Sequence, residues 1–189
     1  DLRNVSDAIT IKTTGDPEQY LTNVSWSADE KYVLIALVNR AQNHMWLNKY
    51  DAKSGAFIKT LFEETNERYV EPEHAAIFLP NDPSKFIWWS ERDGYNHLYL
   101  YDIEGKLIKQ LTKGEWIVTE YVGMSSDAKK LYIVGTKDSP LERHLYAVNM
   151  KNGKMDNLTQ TPGVHNITAN SNCSLFIDDF SSTSVPKQI

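Results

Sequence analysis

The stretch HLYLYDIEGKLIKQLT, residues 97–112, joins an alternating apolar strand pattern, a Glu-Gly turn and a second short strand pattern. The same order of parts recurs in HMWLNKYDAKSGAFIKTL, residues 44–61, and in HLYAVNMKNGKMDNLT, residues 144–159. The polar residue that closes the alternating strand recurs at intervals of 51 and 47 positions: Asp51, Asp102 and Asn149. A period of this length indicates a repeat architecture, in which each unit is one supersecondary element.

Each repeat also begins with two further strand patterns separated by a polar turn (SADEK, PNDPSK or SSDAKK), and the second of these strands is an apolar run such as YVLIALV, KFIWWS or KLYIVG. The short final strand is expected to contain Leu61, Leu111 or Leu158. Four antiparallel strands in a unit of about 40 to 50 residues are typical of a β-propeller blade. We therefore predict an all-β, partial β-propeller with about three and a half blades in a single domain, residues 1–189. The predicted blades cover residues 20–65, 69–114, 115–161 and, incompletely, 162–189. They would form either a four-bladed ring or an arc cut from a larger one.

Composition excludes several classes of partner. The 189 residues carry a formal net charge of −5 and are 41% apolar, so the chain can bury a core but offers no basic surface to a nucleic acid. The apolar runs are too short for a membrane span. Cys173 is the single cysteine, which excludes a disulfide framework within the chain and a metal site built from several cysteines. The first residues, DLRNVSDAIT, lack the pattern of a secretory signal peptide.

The histidines belong to the repeat. His44, His97 and His144 each open the alternating strand of their unit. Equivalent positions on successive blades do not converge on one point, whereas metal ligands must all lie within about 2.0 to 2.3 Å of one ion. We therefore predict structural roles for these three side chains, no metal site, and no cofactor.

Catalytic motifs are not found in the sequence. The nearest string to the G-x-S-x-G elbow of α/β-hydrolases is GMSSDAKK around Ser125, which lacks the second glycine and leads into a strand pattern. The carboxylate pairs Glu63/Glu64 and Asp178/Asp179 are neighbours in strand patterns, so their side chains should point to opposite faces and not form an acid–base dyad. We assign no catalytic residue.

Two loops depart from the repeat. TNERYVEPEH joins the first two units and contains Arg68 and Tyr69, which are candidate substrate-facing residues because loops on a rigid scaffold often carry binding groups. The alternative is a solvated connection with Tyr69 packed into the core. In the second loop, TKDSPLERH, we expect Glu142 and Arg143 to form an exposed ion pair of little energetic consequence.

Several of these strings resemble the propeller of the dipeptidyl peptidase IV family of prolyl-specific serine exopeptidases. The resemblance covers most of the chain and is closest from Tyr69 to Pro186, in YVEPEH (69–74), SERDGYNHLYLYDIEGKLIKQLTKGEWIVTE (90–120), SPLERHLYAVNM (139–150) and FSSTSVP (180–186). The second of these strings is long enough to be fairly specific, because it contains DGYNHLYLYD followed by QLTKGEW. The resemblance implies that the chain corresponds to the last three to four blades of an eight-bladed propeller, which caps a C-terminal α/β-hydrolase domain.

In that family the hydrolase domain carries the Ser-Asp-His triad, so the resemblance implies a parent serine-type dipeptidyl peptidase whose catalytic residues lie outside this chain. The propeller would gate access of peptides and support release of N-terminal X-Pro or X-Ala dipeptides. In some members the segment before the Glu-Pro that corresponds to Glu71-Pro72 adds aromatic and basic residues to the extended substrate pocket, which favours Arg68 and Tyr69. The family's glutamate pair belongs to an earlier blade, and we do not transfer its role to Glu63/Glu64.

The resemblance also implies partners and a location. The partners would be the hydrolase domain of the same parent chain, peptide substrates and, in a homodimer, a second parent chain. Mammalian members carry disulfides in these blades, and a chain whose single cysteine is Cys173 resembles bacterial members instead. The bacterial members are usually exported to the periplasm or cell envelope. A different class of function stays open, namely a standalone propeller that acts as a binding scaffold in the bacterial envelope.

Overall fold

The computed structural model describes residues 8–189, and its regular secondary structure in those residues consists of β-strands. The all-β prediction is confirmed, and the strands predicted at Tyr32–Val38 and Lys130–Gly135 are present. Residues 1–7 of the predicted domain lie outside the described part. In residues 8–189 no helix is long and apolar enough to cross a membrane.

Three sheets have the four consecutive strands that the repeat predicts. The first contains β1 (Tyr20–Trp26), β2 (Tyr32–Val38), β3 (His44–Asp51) and β4 (Phe57–Thr65). The second contains β5 (Ile77–Leu79), β6 (Asp82–Ser90), β7 (His97–Asp102) and β8 (Leu107–Gln110). The third contains β9 (Val118–Met124), β10 (Lys130–Gly135), β11 (His144–Asn149) and β12 (Met155–Asn157).

The fourth sheet has two strands, β13 (Val164–Ala169) and β14 (Phe176–Ser181), as expected of half a repeat. The chain divides into two compact units. Among the described residues, one unit contains 8–89 together with Leu100–Ile108, and the other contains Ser90–Tyr99 together with Lys109–Ile189.

The central strands are buried on both faces, which explains their continuous apolar sequences. In β2, Val33, Ile35 and Leu37 pack with Tyr50 of β3 in one cluster, while Leu34, on the opposite face, is fully buried. Alternation of side chains across a strand makes both faces apolar only when other elements cover both. Burying side chains of this size contributes about 1.5 to 3 kcal/mol each, so these strands form the core.

The turn between the first two strands of a sheet has the same construction in two sheets. In the third sheet, the Ser125 hydroxyl donates to Asp127 Oδ1 at 2.7 Å, and Ala128 adopts a left-handed backbone with φ 54°. The equivalent residues of the first sheet are Ser27, Asp29 and Glu30, with φ 57° at the last. Hydrogen bonds from Ser125 and the Lys129 amide lower the pKa of Asp127 to about 2.

A buried lysine fastens β3 to the turn that connects β7 and β8. The side chain of Lys49 is 3% exposed, and its ammonium donates to the Ile103 carbonyl at 3.0 Å and to the Glu104 carboxylate at 2.7 Å. The next residue of that turn, Gly105, lies directly against the Leu61 carbonyl of β4. Because a desolvated ammonium needs partners, these bonds are what allow Lys49 to be buried.

The structure differs from the prediction in two details of the strands. The second strand of the second sheet begins at Asp82, where a polar turn was expected to continue to Ser84. The turn is shortened to Pro80 and Asn81, since Leu79 pairs with Asp82 across it. Leu111 and Leu158, expected in the final strands, lie one residue beyond β8 and β12.

Candidate functional site

The connection between β4 and β5 is the longest departure from the repeat, and its first half is held by the backbone of the β2–β3 loop. The Asn66 amide donates to the Asn43 carbonyl at 3.0 Å, and the Val70 amide donates to the Gln42 carbonyl at 2.6 Å. Gln42 has a left-handed backbone, with φ 56°. The loop therefore has a defined path although it contains no strand.

Arg68 and Tyr69, the two candidate residues, lie at the exposed part of this loop. The Arg68 backbone amide donates a hydrogen bond to Asn66 Oδ1 at 2.8 Å. The Arg68 side chain is exposed. Tyr69 is 55% exposed. The alternative that Tyr69 packs into the core is therefore wrong, because more than half of its surface is exposed.

Within the described part of the chain, this loop contains one cationic side chain that is free to bind a ligand, the guanidinium of Arg68. Among the described residues, the Arg68 guanidinium has no hydrogen-bond or ion-pair partner. Glu67 and Glu71 flank the Arg68–Tyr69 pair in sequence and are also exposed. A free guanidinium presents several donors in one plane and binds carbonyl or carboxylate oxygens. The loop can thus accept a polar group of a ligand at Arg68 and an apolar group against Tyr69.

The second half of the loop is fastened to two different strands. The Pro72 carbonyl accepts from Asn23 Nδ2 of β1 at 2.7 Å. The His74 ring packs on Trp89 of β6 with centroids 4.0 Å apart. Pro72 itself restricts the backbone. The Arg68–Tyr69 pair is therefore bracketed by fixed points.

An open depression of about 400 Å³ lies beside the loop and is lined almost wholly by polar residues: Asn39, Asn43, His44, Thr65, Asn66 and Glu67. His44 is oriented there by a 2.7 Å contact with Glu63 and by stacking on Trp46, with ring centroids 3.7 Å apart. Amide and hydroxyl groups of this kind suit a ligand with exposed peptide groups.

The other two repeat histidines are structural. His97 is fully buried, with its ring nitrogens at 3.1 Å from Thr112 Oγ1 and 2.9 Å from the Gly114 carbonyl. His144 is 2% exposed and contacts Glu142 at 2.8 Å. In residues 8–189 no cluster of three or more potential metal ligands occurs.

The adjacent carboxylates point to different partners, as the alternation of a strand predicts. Glu63 contacts His44, whereas Glu64 accepts from the Trp88 indole at 3.1 Å. The same holds in β14, where Asp178 contacts His165 at 2.7 Å and Asp179 pairs with Lys187 at 2.5 Å: the two pairs are not acid–base dyads.

The expected exposed pair of Glu142 and Arg143 is wrong. Glu142 contacts His144, and Arg143 donates instead to the carbonyls of Pro140 and Glu142, at 3.1 and 2.8 Å. The two side chains of adjacent residues diverge in this loop, and the buried imidazole is the nearer partner for the carboxylate.

Sequence reasoning missed two supports of the candidate loop, Asn23 and Gln42. Both have a left-handed backbone, with φ 53° and 56°. Asparagine in a strand pattern is a weak signal of such an irregularity, because it is depleted in strands and tolerates left-handed conformations. Gln42 carries no comparable signal.

Comparisons with known proteins agree with this architecture. The profile of the dipeptidyl peptidase IV N-terminal region matches residues 2–187. Dipeptidyl-aminopeptidase B of Aspergillus niger is 27% identical in an alignment of 187 positions that covers 92% of this chain and 20% of that protein. A dipeptidyl-aminopeptidase B relative in Arthroderma gypseum is 30% identical in an alignment of 134 positions that covers 65% of this chain and 15% of that protein.

Two solved bacterial structures are also similar. A dipeptidyl aminopeptidase IV relative from Bacteroides ovatus has a TM-score of 0.81 and 36% identity over 89% of this chain and 27% of its own. Porphyromonas gingivalis dipeptidyl peptidase 4 has a TM-score of 0.83 and 26% identity over 94% of this chain and 25% of its own. The chain spans about a fifth to a quarter of the length of these proteins. With its β-propeller fold, the chain belongs to the family of dipeptidyl peptidase IV N-terminal regions.

Proposed function

We propose that the chain is the non-catalytic β-propeller portion of a dipeptidyl peptidase IV-like serine exopeptidase that releases N-terminal X-Pro or X-Ala dipeptides. In the parent protein the propeller caps the active site and gates the access of peptides. Family membership over residues 2–187 supports this role, as do relatives named for dipeptidyl peptidase activity that are four to five times longer. Their greater length favours a multidomain parent over a standalone envelope scaffold.

The observation that carries the proposal is the loop with Arg68 and Tyr69. Its backbone is fixed on both sides, at Val70 by Gln42 and at Pro72 by Asn23. The exposed guanidinium has no partner among the described residues. We infer that Arg68 binds a carbonyl of the bound peptide and that Tyr69 packs against a peptide side chain.

Two measurements separate the chain's own activity from that of the parent. The 189-residue chain should not hydrolyse Gly-Pro chromogenic substrates, whereas the full-length parent should. Serine-dependent turnover by the isolated chain would contradict a non-catalytic role. Absence of turnover by the full-length parent on any X-Pro or X-Ala substrate would contradict the assignment of the parent.

Substitutions in the full-length parent test the loop. Arg68→Ala should raise KM for peptide substrates by about 10- to 150-fold with a smaller change in kcat, because a charged hydrogen bond contributes roughly 1.5 to 3 kcal/mol. Tyr69→Ala should also raise KM. Lys53→Ala is the matched control, since Lys53 is an exposed cation in the β3–β4 turn, at the other end of the sheet. Equal KM values for Arg68→Ala and Lys53→Ala would refute the role of Arg68.

The proposed blades comprise residues 20–65, 69–114, 115–161 and 162–189, within one domain of the parent. Its further partners are the C-terminal α/β-hydrolase domain and, in a homodimer, a second parent chain. We place the parent in the bacterial periplasm or cell envelope. Cell fractionation with an antibody against this chain tests the location, and recovery of the parent in the cytoplasm alone would refute it.

A further inference from the structure

Strand β1 contains an irregularity at Asn23. Thr22 pairs with Ala36 and Ser25 with Leu34, so β1 uses three steps where β2 uses two. This is the pattern of a β-bulge, which redirects side chains out of the regular alternation. Asn23 is also left-handed, with φ 53°, a conformation that asparagine tolerates better than most residues.

The bulge presents the Asn23 amide to the candidate loop in one orientation. Its Nδ2 donates to the Pro72 carbonyl at 2.7 Å, and its Oδ1 accepts from the Thr22 hydroxyl at 3.1 Å. A carbonyl can only accept, so the amide nitrogen must face Pro72. Thr22 then satisfies the oxygen, and both ends of the amide are used.

This bond holds the side of the loop that the backbone bonds do not reach. Asn66 and Val70 fasten the chain before and just after Arg68 and Tyr69, through backbone bonds that any sequence could make. Pro72 has no amide hydrogen to donate, so its carbonyl is its only backbone group that can form a hydrogen bond. The partner of that carbonyl is a side chain, which substitution can remove.

We propose that Asn23 is a positioning residue for peptide recognition, which acts by fixing Pro72 and thereby the direction of the Arg68–Tyr69 segment. The proposal rests on the proposed function of that segment. Asn23 itself is not proposed to touch the substrate. It limits the conformations of the loop before a peptide binds, so that less conformational entropy is lost when Arg68 binds the peptide.

Three substitutions in the full-length parent separate the hydrogen bond from the backbone conformation. Asn23→Asp keeps the size and the tolerance of a left-handed backbone but turns an oxygen toward the Pro72 carbonyl. Asn23→Gly keeps the conformation and removes the amide. Asn152→Asp is the matched control, because Asn152 uses its Oδ1 as an acceptor from the Lys154 amide at 3.0 Å, which aspartate retains.

Hydrogen exchange tests the positioning without reference to activity. In Asn23→Asp and Asn23→Gly, exchange of the 66–74 segment should become about two- to tenfold faster, the range expected from loss of one neutral hydrogen bond. Exchange of Tyr32–Val38 should be unchanged, which shows that the sheet remains folded. Unchanged exchange of 66–74 in both variants would overturn the proposal.

Kinetics test the consequence for recognition. Both Asn23 variants should raise KM for peptide substrates by about two- to tenfold and leave kcat unchanged. Asn23→Asp should have a smaller effect on KM in an Arg68→Ala background than in the wild type, because only the contact of Tyr69 then remains to be positioned. Asn152→Asp should match the wild type. Fully additive effects on KM would overturn the proposal.

The outcomes distinguish this inference from the proposed function. If Arg68→Ala raises KM and neither Asn23 variant does, the positioning role is refuted and the function of the loop survives. If the Asn23 variants loosen the loop but neither they nor Arg68→Ala change KM, the proposed role of the loop fails and the positioning role fails with it. A rise in KM for Asn23→Asp but not for Asn23→Gly would show added charge to be the cause, and would also refute the hydrogen bond.

Discussion

Gly105→Ala should destabilise the first compact unit by forcing two backbones apart. Gly105 follows Glu104 in the β7–β8 turn and lies against β4. A Cβ added there would stand 2.2 Å from the Leu61 carbonyl oxygen and 2.7 Å from Leu61 Cα. Real Cβ atoms essentially never lie within 3.0 Å of such an atom, and the first distance is 0.8 Å shorter than this limit. Neither neighbour can rotate away, because both atoms are backbone.

Two physical effects add to the expected cost. Gly105 has φ 87°, and a side chain in a left-handed conformation costs about 1 to 2 kcal/mol. Overpacking of a tight contact costs a further 1 to 3 kcal/mol, roughly. Gly105→Ala should therefore reduce the free energy of unfolding by about 2 to 5 kcal/mol.

Gly94→Ala separates the two effects. Gly94 has φ 95°, but an added Cβ would meet no atom within 4 Å, so only the backbone cost of about 1 to 2 kcal/mol applies. Urea unfolding followed by tryptophan fluorescence gives both free energies, provided that the m value stays constant. If Gly105→Ala costs no more than Gly94→Ala, the close approach to Leu61 does not exist in the folded protein.

Three further predictions concern the turn of the third sheet and the single cysteine. Ala128→Gly should stabilise the chain by about 1 kcal/mol in thermal unfolding, because it relieves a left-handed alanine with φ 54°; a lower Tm would contradict this. The pKa of Asp127 is lowered from 3.8 to about 2, so the stability difference between wild type and Asp127→Asn should be complete above pH 4 and shrink as pH falls toward 2; a difference that does not vary with pH would exclude this linkage. Cys173 is 4% exposed, and burial raises the pKa of its thiol, so a maleimide should label it only upon unfolding; rapid labelling of the folded chain would show that the thiol is accessible.

The strands could be predicted because their sequences reflect burial directly. The run at Tyr32–Val38 is apolar at every position since both faces of β2 are covered, and the repeat fixed the order of the strands around it. The start of β6 was not predicted because Asp82 and Ser84 are polar residues typical of turns, although here Asp82 pairs with Leu79 and the register of β5 and β6 shifts between this pair and the next. Polarity at a strand end reports exposure and not the position of the turn.

The candidate site was predictable only in part, for a different reason. Arg68 and Tyr69 attracted notice because their loop departs from the repeat, whereas Asn23 lies in a strand pattern that matches it. Its role depends on a bulge and on a carbonyl 49 residues away. The bulge leaves only the weak signal of an asparagine in a strand pattern, and the partner carbonyl leaves none, because a long-range partner is determined by the tertiary fold and not by the neighbouring sequence.

The histidines show how far equivalence within a repeat can be used. In His97 and His144 the following residue makes the same bond: the Leu98 and Leu145 amides donate to Thr112 and Thr159 hydroxyls at 3.0 and 2.9 Å. The Nε2 atoms differ, since that of His97 lies 2.9 Å from a backbone carbonyl, at Gly114, and that of His144 lies 2.8 Å from a carboxylate, at Glu142.

The shared part of this environment comes from threonines at equivalent positions of the repeat, two residues beyond β8 and β12, and the part that differs comes from Gly114 and Glu142, which lie in loops of different sequence. The repeat therefore determines the position of a side chain but not its chemistry, which is set by the loop it meets. Functional residues of such a chain should be sought where a loop breaks the repeat and its side chains lack partners. In the described part of this chain, Arg68 meets both conditions, because its loop departs from the repeat and its guanidinium has no hydrogen-bond or ion-pair partner there.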